Sequence, residues 1–288
     1  MSDLFRRIAE ALSPNYRLIE QLGGGGAAHI FLAEDVGRRR RVAIKVLREE
    51  LTATISAERF LAEISVAAKL EHSNIVALYE SGSVHGLPYY VMPLIPGESL
   101  RARLTRLGKF PIEVALEITA QIGSALDYAH EHRVLHRDIK PENVILGSAG
   151  AIVLDFGIAL ALDTQHRRTM PGVVPGTPEY MSPEQAAGDR DLDGRSDIYS
   201  LACVTYEMIC GAPPFVGLAT IVIARQIAAP ARALDERCAG VPRVVARVLD
   251  RALAKLPNDR YCSAGAFVSA LSDAWAVSQS RLLETARG

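Results

Sequence analysis

Apolar and polar positions alternate along residues 16–46 in three short runs, YRLIEQLG, HIFLAED and RVAIKVL, each rich in β-branched residues. This alternation, interrupted by GGGG and by EDVGRRR, predicts three strands joined by two turns. The spacing changes at SAERFLAEISVAAKL, residues 56–70. There Phe60, Ile64 and Ala67 or Ala68 recur at helical intervals and Ser56 is placed to cap the first turn. IVALYESGS and PYYVMPLI return to a strand pattern. After Pro96-Gly97, residues 98–132 read as two helices, with Pro111 opening the second. Helical patterns dominate from about residue 192, and the polar last residues, 275–288, read as a frayed tail. A strand-rich first third and a helical remainder predict an α+β fold in two lobes, hinged near 93–97.

Composition narrows the classes that this pattern allows. A chain of 288 residues can bury a sizeable core, and 49% hydrophobic with 23% charged residues is globular rather than disordered. The net charge of −1 gives no global field to recruit nucleic acid or an acidic membrane. Cys203, Cys210, Cys238 and Cys262 form no C-x-x-C and read as reduced thiols of a reducing, cytoplasmic compartment. MSDLFRRIAEALSPNY has two acidic residues and no apolar run, unlike a signal peptide. The most apolar stretch, IYSLACVTYEMICG, is too short to span a bilayer and carries Glu207, so a buried helix is expected there and no membrane segment.

Three polar clusters are not explained by apolar patterning. Lys45 ends VAIK; by itself it reads as an edge-strand lysine on a solvated face. HRDIKPEN, residues 136–143, places six polar or charged side chains between the apolar runs VL and VIL, where unpaired charge is costly. LDFGIA, residues 154–159, sets Asp155 inside an apolar run, either as a satisfied structural group or as a metal ligand.

Each signal is weak alone, and their order is not. A glycine-rich turn, VAIK, a helix bearing Glu63, HRDIKPEN, DFG and then SPE at 182–184 follow one another. This order resembles the eukaryotic-like protein kinases, most closely the serine/threonine kinases of bacteria, over roughly residues 16–270. The resemblance implies the two-lobed kinase fold, a small β-rich N-lobe with one main helix and a larger α-helical C-lobe. Its bounds are an N-terminal extension at 1–15, a kinase domain at 16–274 (N-lobe 16–95, C-lobe 96–274) and a C-terminal tail at 275–288. A dinucleotide-binding turn does not fit the context, because these glycines join two strands and not a strand to a helix.

The resemblance implies a role for each matching residue, with ATP and Mg²⁺ as cofactors. Gly23, Gly24, Gly25 and Gly26 form the turn over the phosphates, with Ala28 where a third spaced glycine is usual. Lys45 holds the α- and β-phosphates and Glu63 pairs with it. Asp138 accepts or orients the proton of the substrate hydroxyl, and Lys140 neutralises the transferring phosphoryl group. Asn143 and Asp155 hold Mg²⁺ through hard oxygen ligands. His136 is a packed structural residue. Met92 guards the back pocket; Pro93 keeps the carbonyl and Ile95 the N–H that adenine needs. Ile30, Ala43 and Ile145 sandwich its ring. Glu184 pairs with Arg260, and Asp197 braces the catalytic-loop backbone.

Residues 155–184 then form the activation segment. Arg137, beside Asp138, marks a kinase switched on when a loop phosphothreonine pairs with it. Thr169 is the first candidate for that modification and Thr164 the second. Thr177, in GTPEY, stays unmodified and contacts Asp138 and Lys140. Lys140 and Thr177 imply serine/threonine acceptors, and Ile158 favours threonine. The implied partners are protein substrates and, for trans-autophosphorylation, a transient homodimer. The alternative is an ATP-binding pseudokinase scaffold, which the presence of Lys45, Glu63, Asp138, Asn143 and Asp155 disfavours.

Overall fold

The computed structural model describes residues 3–24, 28–52, 57–156 and 177–285. The chain divides into two compact units, the first ending at Pro96 and taking in Asp155 and Phe156, the second beginning at Gly97.

The first unit is built on β1 (Tyr16–Gly24), β2 (Ala28–Asp35), β3 (Arg40–Leu47), β4 (Glu80–Val84) and β5 (Leu87–Pro93). They form one antiparallel sheet in the order β1-β2-β3-β5-β4. The strand pattern expected at residues 75–79 does not form a ladder; Ile75 and Val76 are buried there, and β4 starts at Glu80. Period-two alternation gives the sheet two buried faces. Phe31, Ala33, Val42, Ile44, Val46 and Val91 line one of them.

That face is covered by α1 (Asp3–Leu12), a helix formed by the stretch expected only as an N-terminal extension. Its Phe5, Ile8 and Leu12 recur at three- and four-residue spacing and enter the sheet's core, with the Phe5 ring edge-on to Phe31 at 5.8 Å between centroids. The opposite alternation carries Ala43, Lys45, Tyr90 and Met92, with Lys45 paired in register to Ile30 and to Tyr90. A short α2 (Glu49–Thr52) precedes α3 (Ala57–Ala67). In α3, Phe60, Ile64 and Ala67 are buried, as their spacing predicts.

The second unit is mainly helical. It opens with β6 (Gly97–Ser99), α4 (Leu100–Leu107) and α5 (Ile112–Glu131), with Ser99 capping α4 and Pro111 at the N-cap of α5. β7 (Val144–Gly147) and β8 (Gly150–Val153) complete a three-stranded antiparallel sheet with β6. Gly97 lies so close to the Leu146 carbonyl of β7 that a Cβ would collide with it, and its φ of +154° suits glycine.

After α6 (Pro183–Ala187) comes α7 (Gly194–Cys210), the expected buried helix: every residue from Ser196 to Ile209 is buried. Gly211 ends it in the left-handed region at φ +84°. The remaining helices are α8 (Ala219–Ala228), α9 (Leu234–Arg237), α10 (Arg243–Ala252) and α11 (Ala264–Thr285). α11 runs to Thr285, into the segment expected to be a frayed tail, and buries Ser278.

Candidate active site

The catalytic loop follows from the way α5 ends and β7 begins. Pro141 is buried and starts a single 3₁₀ turn, Pro141–Asn143, which turns the chain into β7. This turn brings the loop's polar groups onto one carboxylate. Lys140 Nζ lies 2.7 Å from Asp138 Oδ2. Asn143 Nδ2 donates to the same oxygen at 3.1 Å and to the Asp138 carbonyl at 2.9 Å. Asp138 keeps 36% of its side chain exposed, so it can meet an incoming hydroxyl.

The backbone of this loop is strained, with Arg137 at φ +65°. Asp197 on α7 holds it. The carboxylate is 1% exposed and accepts the N–H of His136 at 2.9 Å and of Arg137 at 2.7 Å. His130 of α5 adds a third contact, Nε2 to Oδ2 at 2.8 Å. Burial pushes the Asp197 carboxyl up, but these donors outweigh it and hold it below its ordinary range. Gln185 on α6 donates to the Arg137 carbonyl at 2.8 Å.

His136 is packed, as expected. Its Nδ1 accepts from the Asp138 N–H at 3.2 Å, so Nε2 carries the proton and donates to the Leu154 carbonyl at 2.8 Å. Glu184 and Arg260 form the expected pair, two parallel bonds of 2.7 Å with the guanidinium fully buried. The Arg137 Nε is buried without a hydrogen-bond partner among the described residues.

A second network was missed by sequence reading. Arg101 on α4 donates to Glu142 at 2.7 Å and to Glu207 at 2.7 Å, and it reaches the Tyr180 hydroxyl, which itself bonds Glu207. It thus ties the catalytic loop to the 3₁₀ turn Pro178–Tyr180 and to α7. LRARLTRL shows only an amphipathic helix with a basic face; nothing in it marks Arg101 apart from Arg103 or Arg106.

In the first unit, Lys45 is not an edge residue. β3 is the middle strand of the sheet, and the Lys45 side chain is 13% exposed and ion-paired to Asp155. Asp155 takes φ +67° and also accepts a hydrogen bond from the Tyr90 hydroxyl at 2.5 Å. Burial, and then the charge of Asp155, raise the Tyr90 phenol well above its ordinary range.

Gly23 and Gly24 end β1. A Cβ at Gly23 would meet no atom of the described residues within 4 Å, whereas one at Gly24 would lie 3.1 Å from the Ala28 carbonyl. Ile30 and Ala43 sit on the neighbouring strands β2 and β3, Met92 and Pro93 at the end of β5 with Ile95 just beyond, and Ile145 on β7. Gly25, Gly26, Ser56, Gly157, Ile158, Thr164 and Thr169 lie outside the described residues. Among the described residues the Asp138 carboxylate meets Lys140 and Asn143, and Thr177 makes no hydrogen bond to it.

Among the described residues no group of three or more His, Cys, Asp or Glu side chains could hold a metal by itself.

In the second unit a strained loop around a part-exposed aspartate is clamped from a buried helix, and in the first a lysine–aspartate pair lies under a sheet; each is what the resemblance to the protein kinases implies. Residues 16–275 match the family described as the protein kinase domain, and the chain belongs to that family. It is 40% identical over 260 residues to serine/threonine-protein kinase PknB of Mycobacterium leprae, covering 88% of this chain and 42% of that protein. It is 41% identical over 261 residues to PknB of Mycolicibacterium smegmatis, with the same coverage of 88% and 42%. Against Pkn1 of Myxococcus xanthus the identity is 38% over 271 residues, 91% of this chain and 38% of that protein. The chain spans about two-fifths of the length of these relatives. Each of these relatives is named a serine/threonine-protein kinase. Among the described residues no helix is long and apolar enough to cross a membrane.

Proposed function

We propose that this domain transfers the γ-phosphate of ATP to serine or threonine hydroxyls of proteins, with threonine preferred, in the cytoplasm, where ATP is supplied. The observation that carries this reading is the convergence of Lys140 and Asn143 on Asp138. A carboxylate that meets one cation and one amide, yet keeps 36% of its side chain exposed, is placed to receive or orient a hydroxyl proton.

The other roles follow the same chemistry. Lys140 neutralises charge on the transferring group, which matters more than covalent help in this reaction. Lys45 binds the α- and β-phosphates, leaving Asp155 and pairing with Glu63 in the active state. Gly23 to Gly26 cover the phosphates; Ile30, Ala43, Met92, Pro93, Ile95 and Ile145 hold the adenine. Asn143 and Asp155 hold Mg²⁺. When bound, that ion offsets the negative charge of the phosphates. Arg137, whose buried Nε has no partner among the described residues, receives a loop phosphothreonine, Thr169 first and Thr164 second. A transient homodimer carries out that modification in trans, and Thr177 then reaches Asp138 and Lys140.

The test is transfer of labelled γ-phosphate from Mg²⁺-ATP to the protein itself and to a generic basic protein, with Asp138→Asn in parallel. Label on phosphothreonine that the variant loses supports the reading. Nucleotide binding without label from the wild-type protein overturns it in favour of a scaffold.

A further inference from the structure

Tyr90 lies in PYYVMPLI, where it reads as one more core residue of a strand. It is fully buried, and its ring faces the same side of the sheet as Lys45, directly opposite it in the β3–β5 register. The two side chains meet at one carboxylate: Tyr90 donates to Asp155 Oδ1 at 2.5 Å, and Lys45 is ion-paired to Oδ2. The phenol has little freedom to leave. The cavity beside it, lined by Ala67, Ile75, Val76, Leu78, Asp155 and Phe156, has a volume of about 10 Å³, no more than one water occupies.

We propose that Tyr90 is a positioning residue that orients Asp155 for the metal ion. The inference rests on the reading of Asp155 as an Mg²⁺ ligand. In that reading Lys45 is drawn to the phosphates, so the ammonium does not hold Asp155 throughout the cycle. Tyr90 does, because it is fixed within the sheet. A carboxylate oxygen has two lone pairs, so Oδ1 can accept the phenol hydrogen and still face a cation. Asp155 needs such an anchor, because its backbone sits at φ +67°, a region that a non-glycine residue keeps only when its surroundings enforce it. Donors of this kind behind a metal ligand set its orientation, and their loss typically lowers metal affinity 10- to 100-fold.

The experiment is a Mn²⁺ titration of the ADP-bound protein followed by electron paramagnetic resonance, which reads metal binding without turnover. Tyr90→Phe keeps the ring and removes the hydroxyl. The expected result is Mn²⁺ affinity lowered about tenfold, metal-free ADP affinity unchanged, and a kcat that recovers at saturating Mg²⁺. Tyr90→Leu, which also lacks the hydroxyl, gives the same shift, and an unchanged urea midpoint in either variant separates the effect from loss of fold. Asp155→Asn is run alongside. If it weakens Mn²⁺ binding while both Tyr90 variants stay within twofold of wild type, or bind more tightly, Tyr90 does not orient Asp155 and the inference is overturned. If Asp155→Asn itself binds Mn²⁺ normally, the metal-ligand reading fails and this inference falls with it.

Discussion

The Asp197 carboxylate accepts both the His136 and the Arg137 backbone N–H, at 2.9 and 2.7 Å, so one buried side chain on α7 sets the course of the catalytic loop. An amide cannot do this, since one of its two ends is a donor. Asp197→Asn therefore leaves a buried N–H unsatisfied. The expected cost is roughly 1–3 kcal/mol of stability, with a loss of phosphotransfer larger than that loss of folded protein explains. Urea unfolding and labelled-phosphate transfer on the same preparation check it.

The partner of Asp197 gives the stability a pH signature. Burial lowers the His130 imidazole, but its bond to Asp197 and the Asp197 charge outweigh burial and raise it. A raised histidine stabilises fully below its ordinary 6.5 and loses that contribution as pH rises through its folded value. Asp197 is held low, so its contribution is present above its ordinary 3.8 and fades as pH falls. The pair is worth most between those two values. Thermal unfolding across pH should show His130→Gln most destabilising inside that window and closer to wild type at alkaline pH. A penalty that grows with pH would contradict this.

Arg101 supplies the cation for a cluster otherwise made of acids and a phenol. Glu207 is 4% exposed, and without the guanidinium it would be a buried charge with only Tyr180 left to it in this network. Removing one member of such a pair costs roughly 3–5 kcal/mol, while replacing both is far milder. Arg101→Met should destabilise by about the lower figure, since the arginine is partly exposed. Arg101→Met combined with Glu207→Gln should recover part of it. A double-mutant cycle by urea unfolding measures the coupling.

Much of this site is legible in the residue order because the chemistry is local. HRDIKPEN holds Asp138, Lys140 and Asn143 within six residues, and one 3₁₀ turn is enough to bring them together. Phe60, Ile64 and Ala67 show their helix by spacing alone. What stays hidden depends on partners far along the chain. Tyr90 finds Asp155 across 65 positions, and Arg101 finds Glu207 across 106. A tyrosine in an apolar strand or an arginine on a basic helix face carries no sign of such a partner. α1 is an intermediate case: Phe5, Ile8 and Leu12 show the apolar stripe, but only the sheet shows what it covers.

That covering gives a fourth expectation. Phe5 is buried against Phe31 in the first unit's core. Phe5→Ala should cost about 3 kcal/mol through lost transfer energy and the cavity left behind. Were α1 a dispensable extension, the urea midpoint would not move.

The proposed activation switch joins Arg137 to a threonine of the activation segment. Arg137 has a buried Nε without a partner among the described residues, and a phosphothreonine brings about −1.5 to −2 charges with three acceptor oxygens. Pairing the two repays the burial of that nitrogen and fixes the loop beside Asp138. Thr169→Ala should then lower the rate of transfer to an added substrate by about tenfold or more, and Thr164→Ala should have the smaller effect. Arg137→Ala should lower the rate of the phosphorylated protein while hardly changing the Thr169→Ala variant, because the two act through one contact. Phosphopeptide mapping identifies the modified threonine independently. A full rate in Thr169→Ala, with its phosphopeptide map unchanged, would remove Thr169 from the switch.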